Sequence, residues 1–228
     1  MDKPTDISNQ PIEALVAALF PAGVGVGITN PLVKQREALF HVEQEAIHHA
    51  IPARQREFNA GRAAARMAQA ALGHEPRAVP MGSDRAPIWP EGLCGSISHA
   101  ADTCVAVVTD DPAIRALGLD VEEKLGLPAD VLDIVLHPDE RRWINRQPNP
   151  DLLSRLFFSA KECAYKAQYP LSRQLFGFET IAITVDTERG AFDARFTRPV
   201  PPFASGAGLA GRFSVSDRLI ITAVTLFA

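Results

Sequence analysis

The chain of 228 residues sets 23 lysines and arginines against 27 aspartates and glutamates, a formal charge of -4, and is 46% hydrophobic. That length and apolar content support one large domain or two small ones with a real core and exclude extensive disorder; the slightly acidic balance excludes the broad basic field of a nucleic-acid binder, so any anion site must be local. The three cysteines, Cys94, Cys104 and Cys163, lack CxxC spacing, which excludes a disulfide framework and a structural zinc site and fits reduced thiols in a cytoplasm.

Residues 1–20 show no basic start followed by a long apolar run, so no signal peptide is expected. Neither "LVAALF" nor the C-terminal "LIITAVTLFA" is long enough to span a bilayer as a helix. His48 and His49 are neighbours on an expected helix, which would make them diverge on the surface. From Pro52 to Leu72 the sequence is rich in alanine and arginine, with proline at a first helical position and Gly73 just beyond, and predicts one helix. Residues 74–92 carry prolines and glycines and read as an irregular loop. "CGSISH", "TCVAVVTD" and "IRALGLDVE" follow, short runs separated by turn residues that predict antiparallel strands.

The second half repeats this order. "HPDERRWI" predicts a short helix, with proline and two acids at its start. In "DLLSRLFFSAKECAYKAQY", Leu153, Leu156, Phe157, Ala160, Ala164 and Ala167 recur at three- and four-residue steps, the stripe of a helix laid on a sheet. Strands are predicted near 178–186, 191–197, 211–216 and 219–227. Helix followed by strands, twice over, gives an α+β fold of two similar halves, 1–122 and 123–228, related by a pseudo-twofold with a cleft between them.

Three stretches could carry chemistry. In "GLDVEEK", Asp120 and Glu122 are two apart on a strand and so face the same way, while Leu119 and Val121 face the core. Like charges that close favour a cation between them, and oxygen ligands suit Mg²⁺; the alternative is a strand that ends at Val121 with both acids solvated. In "FSAKECAYKA", Glu162 and Lys166 form either a surface ion pair at i, i+4 or part of the same acidic cluster, with Lys161 and Lys166 on phosphate oxygens. Arg54, Arg56, Arg62 and Arg66 share the first long helix, where Arg62 and Arg66 present two guanidinium forks that are either solvated or suited to a phosphomonoester. Ser98 and His99 at a strand end are possible donors to the same group. Trp89 and Trp143 read as packing anchors. The chain contains no GxGxxG, P-loop, GxSxG or HExxH.

Taken in order, "PIWPEGLCGSISH", "GLDVEEK" and "FSAKECAYKA" resemble the successive motifs of the 4'-phosphopantetheinyl transferases, in particular the enterobactin synthase component D branch, and "RQREFNAGRAAAR" resembles the arginine-bearing helix ahead of them. The resemblance runs from about Arg54 to Pro170. It implies a two-half fold and transfer of the phosphopantetheine arm of coenzyme A to a serine of an acyl or peptidyl carrier protein, with release of 3',5'-ADP. It further implies Asp120, Glu122 and Glu162 as Mg²⁺ ligands, Glu162 as proton acceptor and Lys166 beside the diphosphate. Arg54, Arg62, Ser98, His99, Lys161 and Lys166 are the implied coenzyme A contacts. Met81 and Ser83 stand where relatives carry a basic group, with Arg85 as the available substitute, and Cys163 stands where a smaller residue is common.

A cytoplasmic monomer serving siderophore, polyketide or nonribosomal peptide carriers is the expectation, with no nucleic-acid or membrane partner. The carrier is expected over 124–150, where Arg141, Arg142 and Arg146 concentrate positive charge. An inactive coenzyme A or carrier-binding module and a Mg²⁺-dependent nucleotide phosphohydrolase are the alternatives.

Overall fold

The computed structural model describes residues 10–36 and 38–228. Along the chain run α1 (Ile12–Ala17), β1 (Gly25–Thr29), α2 (His41–Glu45), α3 (Pro52–Ala71), β2 (Cys94–Ala100), β3 (Thr103–Thr109) and β4 (Ile114–Glu123). Then come α4 (Ala129–Val135), α5 (Pro138–Ile144), α6 (Pro150–Ser172), β5 (Ile181–Asp186), β6 (Ala191–Phe196), β7 (Gly208–Val215) and β8 (Leu219–Phe227). Both long helices open on proline within their first two positions, where a missing N–H costs nothing. Among the described residues no helix is long and apolar enough to cross a membrane.

The strands form two antiparallel sheets, ordered β1-β3-β2 and β4-β8-β7-β6-β5. Alternation along each strand sorts its side chains into layers. On β3, Ala106 and Val108 pack under α3 with Ala64, Ala65 and Ala68, whereas Val105 and Val107 join a central core with Leu15 and Val16 of α1. On β4, Leu117, Leu119 and Val121 enter that same central core, and so do Ile221 and Ala223 of β8. Ile220 and Val224 of β8 point the other way, into the core beneath α6. The arrangement is therefore an α+β fold in which each half lays one long helix on its own antiparallel sheet.

The first sheet ends at β2 and the second at β4, and these two edges face one another. Ser96 and Ser98 of β2 join them by side chain: the Ser96 hydroxyl accepts from the Leu119 N–H at 3.1 Å and the Ser98 hydroxyl from the Val121 N–H at 3.3 Å. Edge amides that would otherwise be buried without partners are satisfied this way, and backbone pairing between the sheets is avoided.

The expected boundary at 122/123 falls inside β4, whose whole ladder is with β8, so the acids of the first half's last strand stand in the second half's sheet. The expected helix around His48 and His49 is a series of turns following α2; the two rings do not diverge but meet edge to face at 4.8 Å, on the surface.

Candidate active site

A cavity of about 690 Å³ lies between the halves, walled by α3, β2, the loop 81–89, the end of β4 and the last turns of α6. One end is acidic. Asp120 and Glu122 both face it from β4, as the period of two requires, while Leu119 and Val121 are fully buried behind them. Asp120 Oδ1 accepts from Lys166 Nζ at 2.7 Å and from Ser98 Oγ at 2.9 Å, and Oδ2 accepts from Ser159 Oγ at 2.8 Å. Glu122 Oε2 accepts from Arg155 Nη1 at 2.8 Å. Arg155 also donates to the carbonyls of Leu125 and Gly126, so it fixes the chain leaving β4 as well as the acid.

Arg155, Ser159, Glu162 and Lys166 occupy successive turns of one face of α6, laid along β4. Burial and the charge of Asp120 push the Glu122 carboxyl up to about 7, against the pull of Arg155. Burial likewise raises Glu162, opposed by Lys166 and assisted by Asp120. Burial alone would lower the Lys166 ammonium, but its ion pair with Asp120 and the nearby Glu162 more than offset that and leave it above its ordinary value.

The other end of the cavity is basic. Arg62 is buried, its guanidinium 4.0 Å over the Phe58 ring, and its Nε has no hydrogen-bond partner among the described residues. Burial lowers it to about 10, against the attraction of Glu43 and helped by Arg54 and Arg66. A buried guanidinium with an idle donor on a cavity wall is suited to an anion. At the mouth, Arg54 Nη1 and His99 Nε2 both approach Glu57 Oε2, at 3.3 and 3.4 Å. The His99 imidazole is lowered chiefly by burial.

The loop 81–89 closes the space from above. Met81 bridges to Pro87, and Arg85 turns the tip with φ 67°. Asp84 accepts from the Tyr169 hydroxyl at 2.7 Å and lies 3.6 Å from Arg173, which ties this loop of the first half to the end of α6. That hydrogen bond is the main reason the Asp84 carboxyl sits below its ordinary range. Arg85 lines the cavity, where the sequence offers it as a substitute for an absent basic group.

The structure gathers Arg54, Arg62, Ser98, His99, Asp120, Glu122 and Lys166 around one space. Glu162 faces a smaller adjoining cavity of about 210 Å³, with Tyr165, Phe176 and Phe178. Lys161 departs from expectation: its ammonium is buried away from the large cavity and donates to Glu140 at 2.7 Å, the Val135 carbonyl at 2.8 Å and the Phe178 carbonyl at 3.3 Å. All three of its hydrogens are committed, and none remains for a phosphate. Ser98 is buried as well, and its single hydroxyl hydrogen goes to Asp120. Arg66 is held by Glu43 at 3.1 Å, and Arg56 is exposed. The positive charge expected around Arg141 and Arg142 is cancelled locally by Asp133 and Asp139. Ser159 and Arg155 went unmarked in the sequence; their signal was the i, i+4, i+7, i+11 spacing with Glu162 and Lys166.

The oxygen-only set of Asp120, Glu122 and Glu162 is the hard donor chemistry Mg²⁺ prefers, and two of the three are acids held up by burial and the charge of Asp120, a cost a cation would relieve. As the side chains stand, turned to Lys166, Ser98, Ser159 and Arg155, no three acid, histidine or cysteine groups among the described residues close around one point.

The chain matches known proteins over most of its length. Residues 42–109 match the 4'-phosphopantetheinyl transferase N-terminal domain, and residues 116–214 match the 4'-phosphopantetheinyl transferase superfamily. Over 222 residues the chain is 34% identical to the 4'-phosphopantetheinyl transferase Npt of Nocardia iowensis, covering 92% of this chain and 99% of that protein. It is 34% identical over 228 residues to the 4'-phosphopantetheinyl transferase PptT of Mycobacterium tuberculosis, covering 94% of this chain and 99% of that one. Enterobactin synthase component D of Salmonella typhi is 38% identical over 135 residues, 58% of this chain and 55% of that protein.

Proposed function

The chain belongs to the 4'-phosphopantetheinyl transferase superfamily, which moves phosphopantetheine from coenzyme A to carrier proteins, and we propose that the cavity between its halves performs this transfer with Mg²⁺ held by Asp120, Glu122 and Glu162. The observation that carries the reading is the make-up of the cavity: its lining joins the acids Asp120 and Glu122 and the ammonium of Lys166 to a basic group of Arg54, Arg62 and His99. Coenzyme A has matching ends, a diphosphate that a dication can share and a separate 3'-phosphate for arginine.

The carrier serine attacks the phosphorus that bears the pantetheine. Its proton passes to Glu162, and the bond to the departing 3',5'-ADP breaks. Bound Mg²⁺ supplies neutralisation of the diphosphate and of the charge that grows on the leaving group. Lys166 adds fixed positive charge at the same place, already oriented by Asp120, so it needs no reorganisation as the reaction proceeds. Arg54, Arg62 and His99 hold the 3'-phosphate. Ser98 acts through Asp120, and Lys161 serves the fold. Similarity to enterobactin synthase component D supports siderophore carriers among the acceptors, with polyketide and nonribosomal peptide carriers beside them. Because each half supplies one wall of the cleft, the chain works as a monomer, and its three unpaired cysteines suit the cytoplasm.

The test is intact mass spectrometry of apo carrier proteins incubated with coenzyme A, Mg²⁺ and this protein, beside an Asp120→Ala control. A gain of one phosphopantetheine that needs both metal and Asp120 is the expected result. Transfer that is indifferent to chelation or to Asp120 refutes the metal assignment, whereas cleavage of coenzyme A without transfer indicates a phosphohydrolase.

A further inference from the structure

We propose that Ser159, backed by Thr222, is a positioning residue that leaves the Asp120 carboxylate a single open lone pair, on Oδ2, and so fixes the direction from which it receives a cation. The inference rests on the metal reading above and adds Ser159, which lies within "FSAKECAYKA" without an assigned role, and Thr222, which lies outside every motif.

Asp120 is 3% exposed and accepts three hydrogen bonds. A carboxylate offers about four lone-pair sites, two on each oxygen. Lys166 Nζ at 2.7 Å and Ser98 Oγ at 2.9 Å occupy both sites on Oδ1. Ser159 Oγ at 2.8 Å takes one of the two on Oδ2. One site is left, which makes Asp120 a one-oxygen ligand of defined direction. Without Ser159 both sites on Oδ2 would be open and the carboxylate would be held through Oδ1 alone.

Ser159 is itself held. It is wholly buried on α6, and its hydroxyl lies 2.9 Å from Thr222 Oγ1. Its own hydrogen goes to the charged acceptor, Asp120, because a bond to an ion is about twice as strong as a neutral one. Thr222 is then the donor, its single hydrogen shared between the hydroxyl and the carbonyl oxygen of Ser159, at 2.9 and 3.1 Å. The sheet explains why Thr222 is there: it is the register partner of Asp120 across β4 and β8, so both face α6 at the turn that carries Ser159. The buried hydroxyl pair thus ends on the acid, with the Cys163 thiol as a further hydrogen-bonding neighbour of Thr222.

Thr222→Val and Thr222→Ser separate the hydroxyl from the shape of the side chain, since valine keeps the branch and serine keeps the donor. The readout is Mn²⁺ binding, followed by electron paramagnetic resonance with coenzyme A present, together with the Mg²⁺ concentration for half-maximal transfer. Urea midpoints report folding. Loss of an outer partner of a metal ligand typically costs 10- to 100-fold in metal affinity, so Ser159→Ala should weaken Mn²⁺ binding about 10-fold or more. Thr222→Val should weaken it by a smaller factor, Thr222→Ser should stay within about twofold, and the Ser159→Ala/Thr222→Val double variant should be no weaker than Ser159→Ala, because the two act in one chain. Equal behaviour of the valine and serine variants, or fully multiplicative effects in the double variant, would overturn the role. If Ser159→Ala does not fold, the Thr222 pair still decides. An Asp120→Ala control that keeps full Mn²⁺ affinity would sink the metal reading itself, an outcome distinct from failure of the Ser159 role alone.

Discussion

Replacing Lys161 by methionine tests whether this motif lysine serves the ligand or the fold. Its ammonium is 1% exposed and pairs with Glu140, itself 5% exposed, at 2.7 Å. Glu140 also accepts the backbone N–H groups of His137 and Ile183, so it joins α5 to β5 through the lysine of α6. Methionine keeps most of the stem and removes the charge, which leaves a buried carboxylate without its cation and the Val135 carbonyl without a donor, while the Phe178 carbonyl keeps the N–H of Ile181. Breaking a buried pair on one side costs about 3–5 kcal/mol. Against a total stability of about 5–15 kcal/mol, Lys161→Met should be folded but shifted to a much lower urea midpoint. Coenzyme A affinity of the folded protein, measured by calorimetry below the transition, should stay within about twofold. Arg54→Ala should do the reverse: the side chain is half exposed, so the midpoint should hold, while affinity falls about 10-fold or more with the loss of a charge-assisted bond to phosphate. A Lys161→Met protein of ordinary stability that no longer binds coenzyme A would refute this division of roles.

Two further outcomes follow from the same site. Because the folded protein holds the Glu122 carboxyl at about 7 against an ordinary 4.5, it takes up a proton on folding between those values, and stability in EDTA should decline as pH rises through that window. The full shift corresponds to roughly 3 kcal/mol at about 1.4 kcal/mol per unit, and Glu122→Gln should flatten the dependence in urea denaturation; a slope that survives in the variant would assign it elsewhere. Gly118→Ala should lower stability by about 1–3 kcal/mol and transfer with it, since a Cβ there would stand 2.3 Å from the Cys163 carbonyl oxygen; an alanine variant of normal midpoint would show that α6 can give way.

Much of the fold was legible because its periods are clean. The alanine- and arginine-rich stretch from Pro52 became α3, the apolar stripe from Leu153 to Ala167 became the buried face of α6, and β2, β3 and β4 fall on the short β-branched runs. What escaped has physical reasons. β1, "GVGIT", lacks the side chains of a typical strand because Gly25 and Gly27 must let α3 approach. α1, α2 and α4 have seven residues or fewer and take their stability from packing rather than from propensity. Within the site, spacing placed Asp120 and Glu122 on one face, but it could not reveal that Lys161 turns toward Glu140 and Lys166 toward Asp120. Both lysines lie on the same helix, five residues apart, and only the elements packed against each side decide their roles. Thr222 was invisible for a related reason, since its neighbour Asp120 lies about a hundred positions away in the chain.

The two halves solve one packing problem in the same way, and the solution bears on the chemistry. In the first half, a Cβ on Gly25 or Gly27 would meet the carbonyl oxygens of Ala68 and Ala64 at 2.2 and 2.0 Å, so α3 rests directly on the backbone of β1. In the second, Gly118 of β4 lies against Cys163 and Ala167 of α6 in the same manner. Small residues on both surfaces let each helix come closer to its strand than ordinary side chains permit. For α3 the gain is burial. For α6 the same approach has a further effect, because Asp120 and Glu122 follow Gly118 at steps of two and therefore point at the helix face that carries Arg155, Ser159, Glu162 and Lys166. A close helix shortens every one of those contacts together. The distance from strand acid to helix lysine is thus set by a glycine outside the charged cluster, and the polar site inherits its precision from an apolar contact one pleat away.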